Sequence, residues 1–107
     1  MKLLVEGIGA SAGRVSGKAC VMRDALRPVG IGEILVTVLT DPLSFADLVE
    51  NASALVTDLG GLASHPAILA REMGIPAVVG TGRATSVIPD GARILVDGTA
   101  GAVYELD

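Results

Sequence analysis

The most informative segment of the sequence is Thr57-Asp58-Leu59-Gly60-Gly61-Leu62-Ala63-Ser64-His65-Pro66-Ala67-Ile68-Leu69-Ala70-Arg71-Glu72-Met73-Gly74-Ile75-Pro76-Ala77-Val78-Val79-Gly80. A short apolar strand ends at its start, two glycines turn the chain, and a helix is predicted over residues 66–73. Gly74 and Pro76 stop that helix, as glycine and proline usually do just beyond a helix end. A short strand over residues 77–80 follows. This order of elements is typical of an α/β protein.

Further strand patterns flank this stretch on both sides. Apolar or alternating runs predict strands over residues 3–8, 17–22, 33–39, 53–57, 92–96 and 102–106. A loop is predicted over residues 9–13, and Thr40-Asp41-Pro42 is a helix-start signal followed by apolar residues at helical spacing, namely Leu43, Ala46, Leu48 and Val49. We therefore expect one α/β domain over residues 1–107, with a mixed sheet, two main helices and a C-terminal hairpin.

The composition restricts the class of protein. Half of the 107 residues are apolar but only 2% are aromatic, so the core must be built from aliphatic side chains. A net charge of -4 argues against a nucleic-acid surface, which needs clustered lysine and arginine. No apolar run approaches the length of a membrane span. With Cys20 as the only cysteine, no internal disulfide can form, and we expect a cytoplasmic protein without a metal site of its own.

His65 is the only histidine, and its position at a helix start is informative. A neutral imidazole nitrogen carries a lone pair that can attack phosphorus. A phosphoryl group there would lie at a helix N-terminus, where backbone N–H groups and the helix dipole favour negative charge. Gly60 and Gly61 allow close approach of the backbone to a phosphate. Pro66 disfavours the α region for His65, which we predict to be an extended, exposed cap, with Ser64 as the competing cap.

Each of these residues also has a plainer interpretation. A lone histidine at a helix start is more often a surface cap than a catalytic group, and a glycine pair marks many ordinary turns. Arg71 and Glu72 fit a solvated helix face. Asp58 could orient His65 or could cap the loop, and Cys20 is best read as a small buried apolar residue. The spacing alone leaves these alternatives open.

The same segment resembles the phosphoenolpyruvate-utilising enzyme mobile domain, a family that includes the swivelling domain of pyruvate phosphate dikinase, phosphoenolpyruvate synthase and the first enzyme of the sugar phosphotransferase system. The residues that match the family signature are Gly60, Gly61, His65, Ala67, Ile68, Leu69, Ala70 and Arg71. The likeness continues through residues 74–80. It also covers the opening at residues 9–19, the middle at residues 33–42 and the closing hairpin at residues 90–104, so it spans nearly the whole chain.

This resemblance implies a swivelling β/β/α domain that carries a phosphoryl group on His65. It implies that Gly60, Gly61 and Ser64 shape the site, with Arg71 as a phosphate or partner contact. The family's partners are a nucleotide-binding domain and a barrel that binds phosphoenolpyruvate or pyruvate. Mg²⁺ and ATP or phosphoenolpyruvate are expected on those partner domains, and no cofactor is expected on this chain alone. By itself the chain would be a carrier, not a complete enzyme.

Two departures from the family pattern keep other functions open. Ala63 stands where the family usually has a hydroxyl or amide residue, and Pro66 stands where a small residue is usual. One alternative is therefore a docking or regulatory module that has kept the fold and lost phosphorylation. Another is the small swivelling subunit of a dehydratase, although such a subunit has no need for Gly-Gly followed by Ser-His.

Overall fold

The computed structural model describes residues 1–23, 27–38 and 49–106, and ten helices and strands lie within that part of the chain. In chain order they are β1 (Lys2–Glu6), β2 (Ile8–Ser11), β3 (Arg14–Met22), β4 (Glu33–Thr37), β5 (Ala54–Thr57), α1 (His65–Met73), β6 (Ala77–Val79), α2 (Ala84–Val87), β7 (Arg93–Asp97) and β8 (Ala102–Glu105).

The described strands form one sheet with the order β1-β8-β7-β3-β4-β5-β6-β2. The four central strands β3, β4, β5 and β6 run parallel to their neighbours in that group. The remaining neighbours are antiparallel, including the C-terminal hairpin of β7 and β8. The predicted mixed α/β sheet with a C-terminal hairpin is thereby confirmed.

Strands β4, β5 and β6 are buried on both faces. One face packs against α1, and the other packs against a cluster formed with residues of β1, β7 and β8 and of the short α2. In β4, Val36 points into a cluster that includes Ile88 beside α2, whereas Leu35 points into a second cluster that includes Ala67 and Ala70 of α1. Strands that are buried on both faces read as continuous apolar runs, which is why β4 and β5 were visible in the sequence. The small alanines of α1 allow the helix backbone to lie close to the sheet.

The two outermost strands of the sheet, β1 and β2, are joined by Gly7 alone. Because they stand at opposite ends of the strand order, the sheet must curl until its two ends meet. A side chain at residue 7 would lie 2.5 Å from the carbonyl oxygen of Val79, so only glycine fits the junction. The prediction of one strand over residues 3–8 and a loop over residues 9–13 is wrong in part. A second strand extends to Ser11, because Ile8 and Gly9 pair with β6.

The other predicted elements differ from the structure mainly at their ends. β3 begins three residues earlier than predicted, at Arg14. The predicted helix start at residues 40–42 and most of its apolar face lie outside the described residues; Val49 is described, and it is helical and buried. Helix α2 was not predicted, since Thr85 and Val87 are β-branched residues with weak helix propensity. In the described part of the chain no helix is long and apolar enough to span a membrane.

Candidate functional site

The candidate site lies where strand β5 passes into helix α1. Strand β5 ends at Thr57, and α1 begins at His65. Residues 58–64 connect them and are called the site loop here. Helix α1 leads back to β6, which is parallel to β5. The site loop thus lies beyond the carboxyl end of a parallel strand and at a helix N-terminus, which is where α/β proteins commonly bind phosphate groups.

The two glycines of the site loop have different environments. Gly60 has a φ of +113°, and a side chain there would approach the Ser64 hydroxyl oxygen to 2.9 Å. Gly61 has no atom within 4 Å of a would-be Cβ, and its φ is not positive. Gly60 is therefore required by the shape of the loop, whereas Gly61 leaves open space on the surface of the chain.

Ser64 closes the site loop and caps α1 by its backbone. Its φ of -73° and ψ of 157° are extended, and its carbonyl oxygen accepts the hydrogen bond from the Ile68 amide that opens the helix. Its hydroxyl group does not cap the helix. It donates instead to the carbonyl oxygen of Gly61 at 2.7 Å, and the Ser64 amide donates to the same oxygen at 3.1 Å. Ser64 therefore fixes the turn that brings Gly60 and Gly61 next to the helix start.

His65 is the first residue of α1 and is half-buried. Its Nε2 atom is shielded from solvent in this conformation. The prediction that His65 is an extended, exposed cap is therefore wrong. Pro66 disfavours a helical conformation of the preceding residue without forbidding it. The extended residue is Ser64, one position earlier, and Pro66 lies in the first turn, where its missing N–H costs nothing.

Arg71 lies at the other end of the helix from His65. Arg71 follows His65 by six positions, which corresponds to about 9 Å along the helix axis and to a different side of the helix. The Nε atom of Arg71 donates to the carbonyl oxygen of Ala10 in β2 at 2.8 Å. The structure therefore brings Gly60, Gly61, Ser64 and His65 together, and it places Arg71 where it ties α1 to the sheet.

A buried polar network holds the start of the site loop, and of its members only Asp58 was predicted to lie near the site. Both carboxylate oxygens of Asp58 accept hydrogen bonds from Thr85, one from the amide at 2.9 Å and one from the hydroxyl at 2.6 Å. The Thr57 carbonyl oxygen accepts from the amide and from the hydroxyl of Thr81, each at 3.1 Å. The only signal in the sequence was Thr81-Gly82 directly after a strand, which is a common way to start a short helix.

Exposed apolar side chains flank the site. Leu59 and Leu62 of the site loop are 52% and 57% exposed, and Ile68 of α1 is 43% exposed. Ile68 follows His65 by three residues, so the two side chains share one face of the helix. We call these three residues the apolar rim. Among the described residues, no group of three or more His, Cys, Asp or Glu side chains is placed to hold a metal ion.

The chain is similar to known proteins over nearly its whole length. The family model described as "PEP-utilising enzyme, mobile domain" matches residues 30–101, which include β4, β5, the site loop and α1. A probable phosphoenolpyruvate synthase from Methanothermobacter thermautotrophicus is 45% identical over 106 residues. That match covers 97% of this chain and 15% of the relative, so the chain spans about one seventh of the length of that protein.

Two solved structures resemble the fold. The solution structure of an Enzyme I (nEIt) protein matches with a TM-score of 0.61 and 35% identity, over 77% of this chain and 32% of that chain. The holo-form of aconitase X from Thermococcus kodakaraensis matches with a TM-score of 0.74 over 96% of this chain and 98% of that chain, but at 21% identity, which shows a shared fold and nothing more. Together with the family match over residues 30–101, these findings show that the chain belongs to the family of the PEP-utilising enzyme mobile domain.

Proposed function

We propose that this domain is a phosphoryl carrier in which His65 accepts a phosphoryl group at one partner domain and passes it on at another. The observation that carries the proposal is the place of His65, the first residue of α1, directly beyond a glycine turn whose Gly61 leaves open space. Membership in the family of the PEP-utilising enzyme mobile domain suggests that the reaction at this helix N-terminus is phosphoryl transfer. The donor and acceptor would be a nucleotide and phosphoenolpyruvate or pyruvate, each held with Mg²⁺ by a partner domain.

The reaction requires little covalent chemistry from the carrier. A ring nitrogen of neutral His65 forms a bond to phosphorus while the bond from phosphorus to the departing oxygen breaks, with the two roughly in line. The departing oxygen keeps the bonding electrons and stays on the partner domain. The phosphorylated ring then lies at the N-terminus of α1, where backbone N–H groups stabilise negative charge by about 0.3–1 kcal/mol.

The shielding of Nε2 adds a requirement to this mechanism. A donor that approaches from outside the chain cannot reach that atom in the present conformation. Transfer to Nε2 would need a rotation of the ring, whereas transfer to Nδ1 would depend on the exposure of the other side of the ring. Gly61 leaves open space on the site loop, and we expect a turned ring or its phosphoryl group to use that space.

The apolar rim supports transfer in a docked complex. Leu59 and Leu62 of the site loop and Ile68, three positions after His65 on α1, expose large apolar side chains. Covering them with a partner would bury apolar area and would exclude water from the reacting phosphoryl group. The relative from Methanothermobacter thermautotrophicus is about seven times longer than the matched region, so other domains accompany this one there.

A second candidate is a docking module of the same fold that is not phosphorylated. The observation that favours it concerns the two residues that precede His65 in the sequence. Ala63 supplies none, and the Ser64 hydroxyl donates its only proton to the Gly61 carbonyl oxygen. In this alternative the apolar rim would bind a partner, and His65 would serve as an ordinary first residue of the helix.

The deciding experiment is phosphate incorporation into the intact protein, measured by mass spectrometry at alkaline pH after incubation with phosphoenolpyruvate, Mg²⁺ and candidate partner domains. Carrier function predicts one acid-labile phosphate on the wild type and none on His65→Ala. Ala63→Thr, compared with Ala12→Thr at an exposed position of another loop, tests whether the missing hydroxyl limits the rate. No incorporation with a partner that phosphorylates another carrier domain would favour the docking module.

A further inference from the structure

The start of the site loop is held by a second segment of the chain, residues 81–85, which we call the anchor segment. Thr81 donates to the Thr57 carbonyl oxygen through both its amide and its hydroxyl, at 3.1 Å each. The Gly82 amide donates to the Asp58 carbonyl oxygen at 2.8 Å. The anchor segment therefore runs beside the chain where β5 becomes the site loop.

Side chains reinforce this backbone contact in the interior. Asp58 and Thr85 are only 8% and 6% exposed. Each carboxylate oxygen of Asp58 has one donor from Thr85, at 2.9 Å from the amide and 2.6 Å from the hydroxyl. Hydrogen bonds to a buried carboxylate are strong and geometrically restrictive, because a misplaced partner would leave a charged oxygen without a donor. Arg23 holds Thr85 from its other side by donating to its carbonyl oxygen at 2.7 Å.

The other hydrogen bonds of the site loop lie close to Asp58 or within the loop's own turn. The Asp58 amide donates to the Thr37 carbonyl oxygen at 3.0 Å and the Leu59 amide to the Val38 carbonyl oxygen at 2.9 Å. The Thr57 hydroxyl donates to the Leu59 carbonyl oxygen at 2.6 Å, and the turn at Gly61 is closed by Ser64. Most of the loop beyond Leu59 is exposed. A shift at Asp58 would therefore move Gly60 and Gly61 relative to the start of α1, where His65 lies.

We propose that Asp58 and Thr85 are positioning residues, which hold the site loop at the distance from His65 that phosphoryl transfer requires. This inference rests on the carrier function proposed above. It assigns to the anchor segment a role in the rate of transfer, beyond its role in stability. Reacting groups must be placed to within a fraction of an ångström, and a misplacement of about 1 Å can lower a rate by about a hundredfold.

The test compares threonine variants in the intact protein. Thr85→Val removes the hydroxyl with little change in volume, and Thr85→Ser restores a hydroxyl. The matched control is Thr37→Val, which removes another buried threonine hydroxyl, one that donates to the Met22 carbonyl oxygen. The rate of phosphate incorporation is measured over a range of donor concentrations, together with the thermal midpoint of unfolding.

We expect Thr85→Val to lower the rate at saturating donor by about tenfold or more, with little change in the donor concentration that gives half the maximal rate, because the donor binds to a partner. Thr85→Ser should recover to within about threefold of the wild type, and Thr37→Val should transfer at the wild-type rate. Asp58→Asn can keep a hydrogen bond to each group of Thr85, so it should also remain within about fivefold.

A wild-type rate in folded Thr85→Val would overturn the inference while leaving the carrier function intact. So would an Asp58→Asn variant as slow as Thr85→Val, because the charge and not the position would then matter. If Thr85→Val does not fold, Thr81→Val takes its place, because it removes the hydroxyl bond to the Thr57 carbonyl oxygen. Its rate of phosphate incorporation should be about threefold lower than that of the wild type. An unchanged rate in Thr81→Val would also overturn the inference. If the wild type itself takes up no phosphate, both proposals fail.

Discussion

The neighbouring glycines of the site loop should respond in opposite ways to the same substitution. At residue 60 the φ of +113° is strained for any side chain, which costs about 1–3 kcal/mol. The added Cβ would also lie 2.9 Å from the Ser64 hydroxyl, whose bond to the Gly61 carbonyl oxygen contributes about 0.5–1.5 kcal/mol. Gly60→Ala should therefore lower the free energy of unfolding by about 1.5–4.5 kcal/mol.

Gly61→Ala should be neutral or stabilising. No atom lies within 4 Å of its would-be Cβ, and its φ is not positive. Alanine at such a position stabilises by about 0.4–1 kcal/mol, because it restricts the unfolded chain. Urea unfolding followed by circular dichroism measures both variants against the wild type. Equal midpoints for Gly60→Ala and Gly61→Ala would refute the loop conformation on which the site is built.

The Gly61→Ala variant also distinguishes an effect on partner contact from an effect on stability. Because Gly61→Ala should keep the fold, a lower rate of phosphate incorporation in that variant would report on the space that a partner or phosphoryl group needs. We expect a decrease of about tenfold. An unchanged rate would mean that the open space above Gly61 is not used in transfer.

Three further predictions concern other parts of the molecule. Arg71→Met should lower the free energy of unfolding by about 0.5–1.5 kcal/mol in urea titrations, since one hydrogen bond to β2 is lost; an unchanged midpoint would contradict this. The amide of Val21, with help from Arg27, lowers the pKa of Asp90, so Asp90 contributes stability that is present above its ordinary pKa of 3.8 and is lost as the pH falls through the lowered value. Thermal unfolding between pH 5 and about 2 should therefore show that the wild type loses more stability than Asp90→Asn. The difference should be only a few tenths of a kcal/mol, because the Asp90 side chain is half-exposed. Burial raises the pKa of the Cys20 thiol, so a thiol reagent at pH 8 should modify it only after unfolding, and rapid reaction of the native protein would contradict its burial.

The sequence predicted those parts of the fold that depend on neighbouring residues. Strand β4 was recognisable because burial on both faces leaves an unbroken apolar run, and α1 because Gly74 and Pro76 stop it. Gly60, Gly61, Ser64 and His65 lie together because they are close along the chain. Arg71 lies on the same helix as His65, but it is more than one turn away and on a different side. Its contact with Ala10 of β2 depends on how α1 packs on the sheet, which the local sequence does not report.

The missing part of the site arises from contacts between distant residues. Asp58 and Thr85 are 27 positions apart, and they meet because β6 is placed parallel to β5 with α2 beyond it. No local pattern reports such a contact. The N-cap of α1 was difficult to predict for another reason, because Ser64 and His65 were both candidates. Pro66 favours an extended conformation of His65, but in the structure the extended residue is Ser64, which closes the turn of the site loop.

The curled sheet has a consequence for how the domain meets other proteins. The outer side of a terminal strand normally presents free amides and carbonyl oxygens that can pair with a strand from another molecule. Along β2 that side lies against the turn between β7 and β8. A side chain at Gly98 would lie 1.9 Å from the Ser11 carbonyl oxygen, and the Gly7 amide donates to the Gly101 carbonyl oxygen. In a longer protein, where folded neighbours are always close, β2 is therefore protected from lasting backbone pairing.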